Sequence, residues 1–181
     1  MIFGSQPAAL LLTPGASADR DHATLVSIEA ALPEVHVERL TLGTTSIPRA
    51  VSKIVEATES LASELNVSSS QIVIGGRSFG GRACSVAASE GLDIGGLMLL
   101  SYPLHPPGKP EKLRVDHFPS IAVPTVFISG DRDPFGTPAE FEHHLPAIDA
   151  PTELAWVTGP HSPKGKAEAE VVELVRSFLV A

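Results

Sequence analysis

Six short apolar runs, separated by stretches of helical spacing, constrain this chain more than any other feature. The runs cover residues 8–13 (AALLLT), 35–42 (VHVERLTL), 71–75 (QIVIG), 96–101 (GLMLLS), 125–129 (TVFIS) and 153–157 (ELAWV). Most are apolar at every position, as strands covered on both faces must be. VHVERL alternates instead, which places it nearer an edge. Between the runs, Leu25, Ile28 and Leu32 recur at helical spacing, as do Val51, Ile54, Thr58, Leu61 and Leu65. Ser46 followed by Pro48 marks a helix start. The Ala-rich stretch 79–89 suits a helix packed tightly on a sheet, and Val171, Leu174, Val175 and Phe178 give a last helix its buried stripe. Strands alternating with helices predict a doubly wound, mostly parallel sheet of about six strands with helices on both faces. A chain of 181 residues is one domain's worth, so the expectation is a single α/β domain spanning 1–181.

Composition narrows the function. A net charge of -8 gives no excess of Lys and Arg for phosphates, which argues against nucleic acid and anionic membrane surfaces as partners. The single cysteine, Cys84, cannot form an internal disulfide, lacks zinc-ligand spacing and reads as a small buried helix residue. The first fifteen residues carry no basic segment, and Pro7 and Pro14 interrupt their apolar run, unlike a signal peptide. No run approaches the roughly 18 apolar residues of a membrane helix. The expectation is a soluble, cytoplasmic protein.

In a doubly wound sheet, functional groups gather at the carboxyl ends of the strands. The third run ends in GGRSFGGR, residues 75–82. A Walker A loop would need Lys and Ser or Thr where Arg82 and Ala83 stand, and the glycine spacing does not supply a dinucleotide fingerprint. What fits is GxSxG, Gly76 to Gly80, between a strand and a helix. In a nucleophile elbow the serine sits in a strained turn that requires small neighbours two residues either way. A serine hydroxyl needs an imidazole base, and the base needs a carboxylate to orient it. In α/β-hydrolases these follow in the order Ser, acid, His. Here Ser78 is followed by Asp133 in GDRDP and His161 in GPHSP, each after a strand. Asp131 is the rival acid. Asp133 is preferred because the usual hydrolase arrangement places the acid three residues past the glycine that ends the strand, here Gly130, and Asp131 reads as a turn residue bonding loop backbone. Oxyanion donors would be the backbone N–H groups of Phe79 and, in the loop TPGAS, of Ala16, since Pro14 has none.

GGRSFGGR, SYPLHPPGKPEKLR and SGDRDPFG resemble the small, largely capless α/β-hydrolase-like proteins related to dienelactone hydrolases, a group that includes testis-expressed proteins and a subunit of the NSL histone-acetyltransferase complex. The resemblance covers most of the chain. It implies an α/β-hydrolase fold without a cap domain and a triad of Ser78, Asp133 and His161. Two departures matter. Dienelactone hydrolases proper use cysteine where this chain has Ser78, so their substrate does not carry over. Relatives often read THGAG where this chain reads TPGAS.

Other residues carry two readings each. Segment 102–119, rich in proline, is too short for a lid and reads as a semi-rigid rim around an open site. Tyr102 and His105 are candidate substrate-lining residues there, or ordinary loop packing. Arg77, with Arg82, is a candidate for attracting an anionic substrate, against simple salt bridging. His143 and His144, adjacent on one helix, make a poor metal site, and no metal is expected. His22 lies in the first loop, within possible reach of the site. The reading is a serine hydrolase, most simply a carboxylesterase of small esters that needs no cofactor. A noncatalytic interaction scaffold on the same fold is the alternative. Oligomeric state is left open.

Overall fold

A computed structural model describes residues 2–180. Among them six strands form one sheet: β1 (Ala9–Thr13), β2 (His36–Arg39), β3 (Ile72–Arg77), β4 (Gly96–Leu100), β5 (Thr125–Gly130) and β6 (Thr152–Val157). Their order is β2-β1-β3-β4-β5-β6, and all five pairings are parallel. The alternating run forms β2, the shortest strand, at one edge, where a strand has a partner on one side only. It ends at Arg39, before the predicted Leu42.

Five α-helices cover the sheet: α1 (Ala23–Ala31), α2 (Ile47–Leu65), α3 (Phe79–Ser89), α4 (Pro138–His144) and α5 (Lys166–Leu179). Successive strand residues point to opposite faces, and the core divides accordingly. Leu10, Leu12, Val73, Met98 and Ile128 pack with Leu25 and Ile28 of α1 and Val171 and Val175 of α5. Leu11, Ile74, Leu97, Leu99 and Phe127 pack with Ile54 and Leu61 of α2 and Ala83 and Ala87 of α3. Each fully buried aliphatic side chain is worth roughly 1.5–3 kcal/mol over leaving it in water. Both faces are therefore covered, which explains why the central strands are apolar throughout. Ser46 stands at the N-cap of α2 with Pro48 in its first turn, and Asn66 closes it in the left-handed conformation at φ 52°.

Helix α4 is absent from the sequence reading above. Its signal is Thr137-Pro138-Ala139-Glu140: Thr137 and Glu140 form a reciprocal capping box, with proline in the first turn. Between β4 and β5 lies one short 3-10 turn, Phe118–Ser120, and no cap domain. Among the described residues no helix is long and apolar enough to cross a membrane.

The topology locates the site. From β1 the chain moves outward to β2, then returns to place β3 on the other side of β1. At such a switch point the connections leave in opposite directions, and a crevice opens beyond the carboxyl ends of the two strands. Those ends are Thr13 and Arg77.

Candidate active site

Ser78 follows β3 directly and caps α3 with φ 52° and ψ -114°. Backbone held there costs a side chain on the order of 1–3 kcal/mol, so the surroundings must enforce it. They do: the Ser78 N–H donates to the Leu100 carbonyl (2.8 Å), and its carbonyl accepts the first helical bond from Arg82 N–H (3.0 Å). Close approach to β1 accounts for the flanking glycines. A Cβ on Gly76 or on Gly80 would overlap the Thr13 hydroxyl and nearby backbone. Thr13 is fully buried and donates to the Gly75 carbonyl (3.0 Å), tying β1 to the turn.

Two loops bring partners to the serine. His161, between β6 and α5, places Nε2 2.8 Å from Ser78 Oγ. Its Nδ1 lies 2.7 Å from Asp133 Oδ2, in the loop after β5. Asp133 is buried, and its other oxygen accepts the Phe135 N–H (2.8 Å). With the Nδ1 proton directed at Asp133, the Nε2 lone pair faces the serine hydroxyl. Phe135 stacks on the imidazole, ring centroids 4.0 Å apart and 27° from parallel. Sequence reasoning missed that contact, although Phe135 stands only two residues past the acid. Asp131 faces elsewhere: it is exposed, and its Oδ1 accepts the Gly159 N–H (2.9 Å), binding the start of the histidine loop.

A strained serine between a parallel strand and a helix, bonded to histidine and through it to a buried carboxylate, is the site of a known fold family. The family profile for the alpha/beta hydrolase domain matches residues 6–174. The chain belongs to that family. Among solved structures, this α/β-hydrolase chain is similar to a dienelactone hydrolase from Anabaena variabilis (19% identity, TM-score 0.77, covering 95% of this chain and 85% of that one). It is also similar to Est1E from Butyrivibrio proteoclasticus (16%, TM-score 0.75, 97% and 88%). A monoacylglycerol lipase from Paleococcus ferrophilus matches at 13% identity and TM-score 0.77, covering 97% and 96%. At these identities the likeness establishes the fold alone.

The remaining candidates of this α/β hydrolase fall into place unevenly. Phe79 opens α3 beside Ser78, and Ala16 lies exposed in a turn closed by a bond from Ala18 N–H to the Gly15 carbonyl (3.3 Å). Ser17 in that turn has φ 61°. An open groove of about 320 Å³ runs from Gly15, Ser17 and Ala18 to Leu42, Thr44 and Thr45. A Cβ built on Gly15 would stand 3.8 Å from that of Ser78, which puts this end of the groove beside the elbow.

Tyr102 and His105 do not line a rim. Tyr102 is fully buried, its hydroxyl donating to the Arg114 carbonyl (2.8 Å), and its ring packs on Phe118 and Phe127. Burial pushes its phenol pKa up, away from any role as an acid. His105 is buried against Glu140 of α4, with Nε2 3.1 Å from the carboxylate. Residues 107–113 in the middle of the segment are exposed, while 102–105 and Phe118 are buried. Its ends turn inward because Tyr102 and Phe118 complete an aromatic cluster that continues through Phe127 and Phe141 to Trp156.

Nor do the arginines of the elbow behave as read. Arg77 donates from Nη2 to the His161 carbonyl (2.7 Å) and to Ser162 Oγ, so that nitrogen is engaged by the histidine loop. Arg82 turns the other way, toward Tyr102, Arg114 and His117, with its Nε buried and unbonded. Among the described residues neither arginine has a carboxylate within 4.0 Å. His22 caps α1, its Nδ1 accepting the Thr24 N–H (3.3 Å), and burial with the Arg77 charge lowers its pKa. Cys84 is fully buried beside Thr13, and burial pushes its thiol up to about 12, which leaves it unreactive. His143 and His144 stand edge to face, and no group of three metal-ligating side chains gathers among the described residues.

Proposed function

We propose that the protein is a serine hydrolase, a carboxylesterase or related acyl hydrolase of small esters, with Ser78, His161 and Asp133 as its triad. The observation that carries this is the unbroken chain from Ser78 Oγ through His161 to buried Asp133, at 2.8 and 2.7 Å. Ser78 Oγ attacks the ester carbonyl carbon while His161 Nε2 takes its proton. Asp133 stabilises the resulting imidazolium, and the carbonyl oxygen, now an oxyanion, accepts hydrogen bonds from the N–H groups of Phe79 and Ala16. As the C–O bond to the alcohol breaks, His161 returns the proton to the leaving oxygen. Water then attacks the acyl-enzyme as His161 Nε2 accepts its proton; the acyl C–Oγ bond breaks, His161 returns the proton to Ser78 Oγ, and the acid leaves.

The groove beside Gly15 and the absence of a cap domain among the described residues favour small or flexible esters reached from solvent. The motifs GGRSFGGR and YPLHPPGKP support a narrower placement among dienelactone-hydrolase-related proteins that include the testis-expressed and NSL relatives. A small-molecule substrate, rather than nucleic acid or membrane, and a cytoplasmic setting belong to the same reading. A fluorophosphonate probe tests it: covalent labelling at Ser78 with turnover of an ester panel is expected. A folded protein that does neither would be a scaffold.

A further inference from the structure

We infer that Arg77 is a positioning residue, which clamps the loop carrying His161 and acts on the proposed reaction through the imidazole. Arg77 is the last residue of β3 and the immediate neighbour of Ser78. It is thus anchored in the centre of the sheet, paired through its backbone register with Leu100 of β4. The loop it reaches, 158–165, has no regular structure of its own. Its start is tied at Gly159, which donates to Asp131 Oδ1 and accepts the Arg132 N–H (3.0 Å). Beyond that point, among the described residues, the hydrogen bonds to His161's own backbone and to Ser162 come from Arg77.

A charge-assisted bond to the His161 carbonyl restrains the peptide that follows the imidazole, and with it the direction in which the ring leaves the chain. Serine and histidine are thereby linked twice. One link is the reacting pair itself, Oγ to Nε2. The other runs through the backbone: Ser78 to Arg77, across the guanidinium, to the His161 carbonyl. The second link persists when substrate enters and the first is remade.

The same geometry argues against Arg77 as a substrate anchor. Its Nη2 donors are taken by the His161 carbonyl and Ser162 Oγ, and the side chain is half-buried. Burial lowers the guanidinium's pKa, while Asp133 and Glu168 offset its charge and raise it. Glu168 is itself held by Thr24 (2.6 Å) at the crevice that Arg77 lines. An incoming anion would have to compete with the His161 carbonyl and Ser162 for the Nη2 donors.

The proposal rests on the hydrolase reading, and one experiment separates the two. Wild type, Arg77→Gln, Arg77→Lys and Ser162→Ala are assayed on p-nitrophenyl butyrate, ethyl butyrate and the p-nitrophenyl hemiester of succinate, with fluorophosphonate labelling and circular dichroism in parallel. Misplacing a reacting group by about 1 Å can cost on the order of 10²-fold, so Arg77→Gln should lose about that much kcat with KM unchanged. The loss should be greater for the ethyl ester, whose leaving alkoxide needs the His161 proton, than for p-nitrophenolate, which leaves without it. Arg77→Lys, which keeps a cation and a donor, should recover part of the loss, and Ser162→Ala should cost little. Equal losses on both butyrates, tracking a loss of folded protein, would make Arg77 a residue of the fold and overturn the proposal. So would a rise in KM confined to the hemiester with kcat retained, which would make it a substrate residue. Should Arg77→Gln fail to fold, Arg77→Lys carries the same leaving-group comparison. Wild type that neither labels nor turns over any ester overturns the hydrolase reading, and the proposal with it.

Discussion

The turn after β3 and the segment between β4 and β5 both sit above the carboxyl ends of the sheet, and both are dense in glycine or proline. They do opposite things. The first is built to expose one side chain: Ser78 is forced to φ 52° by glycines that let β1 and α3 close around it. The second hides its chemistry: Tyr102 and His105, the residues a reader would pick for a binding rim, are buried against Phe118, Phe127 and Glu140. The difference teaches that backbone geometry decides whether a polar residue above a sheet is presented to solvent. Where packing absorbs it, it belongs to the fold.

Changes to the elbow and its partners should therefore strike turnover, and changes to the β4–β5 segment should strike stability. Asp133→Asn should have the largest effect, on the order of 10⁴-fold in kcat through loss of the correct imidazole tautomer. Asp131→Asn, measured beside it, should cost little, since Asp131 meets the Gly159 N–H and not the imidazole. Reversal of the two would break the contrast at its centre. Gly80→Ala comes next. The added methyl must push the elbow off Thr13 and Pro14, so activity should collapse with an overpacking cost of about 1–3 kcal/mol by denaturant titration.

Tyr102→Phe should show the opposite profile: about 1 kcal/mol of stability lost with the hydrogen bond to Arg114, and kcat unchanged. A fall in kcat would return Tyr102 to the site. His117 should leave turnover near neutral pH untouched and adds a pH signature. Burial, aided by the Arg82 charge, holds its imidazole down at about 4 against 6.5 in an open chain. As pH falls, the unfolded chain therefore takes up the proton first. Stability intact above pH 6.5 is lost as pH falls toward 4. His117→Gln should flatten that limb in thermal melts across the same range, while leaving esterase activity near neutral pH unchanged.

What was legible follows the same line. Burial on both faces writes itself into continuous apolar runs, so the six strands and their parallel arrangement were readable, as was the edge position of the alternating run. The elbow was readable because its steric demand is local: Gly76, Ser78 and Gly80 are neighbours in the chain. Asp133 and His161 could be picked out because each follows a strand, and the topology brings such ends together. Contacts that depend on distant partners left no trace. Nothing near Tyr102 announces the Arg114 carbonyl, and nothing in GGRSFGGR announces that Arg77 would reach a carbonyl 84 residues on. The capping box of α4 was written in plain form at Thr137 and Glu140, but a helix of seven residues is too short to show a periodic stripe.

In the proposed reading, the turn after β3 presents Ser78 as an activated nucleophile. Intact-mass and peptide analysis after exposure to a fluorophosphonate tests it most directly, on wild type, Ser78→Ala and His161→Gln. A single adduct mapped to Ser78 is expected in wild type, none in Ser78→Ala, and strongly slowed labelling in His161→Gln with the fold intact. Folded wild type that stays unmodified, or an adduct on another residue that survives Ser78→Ala, would contradict it.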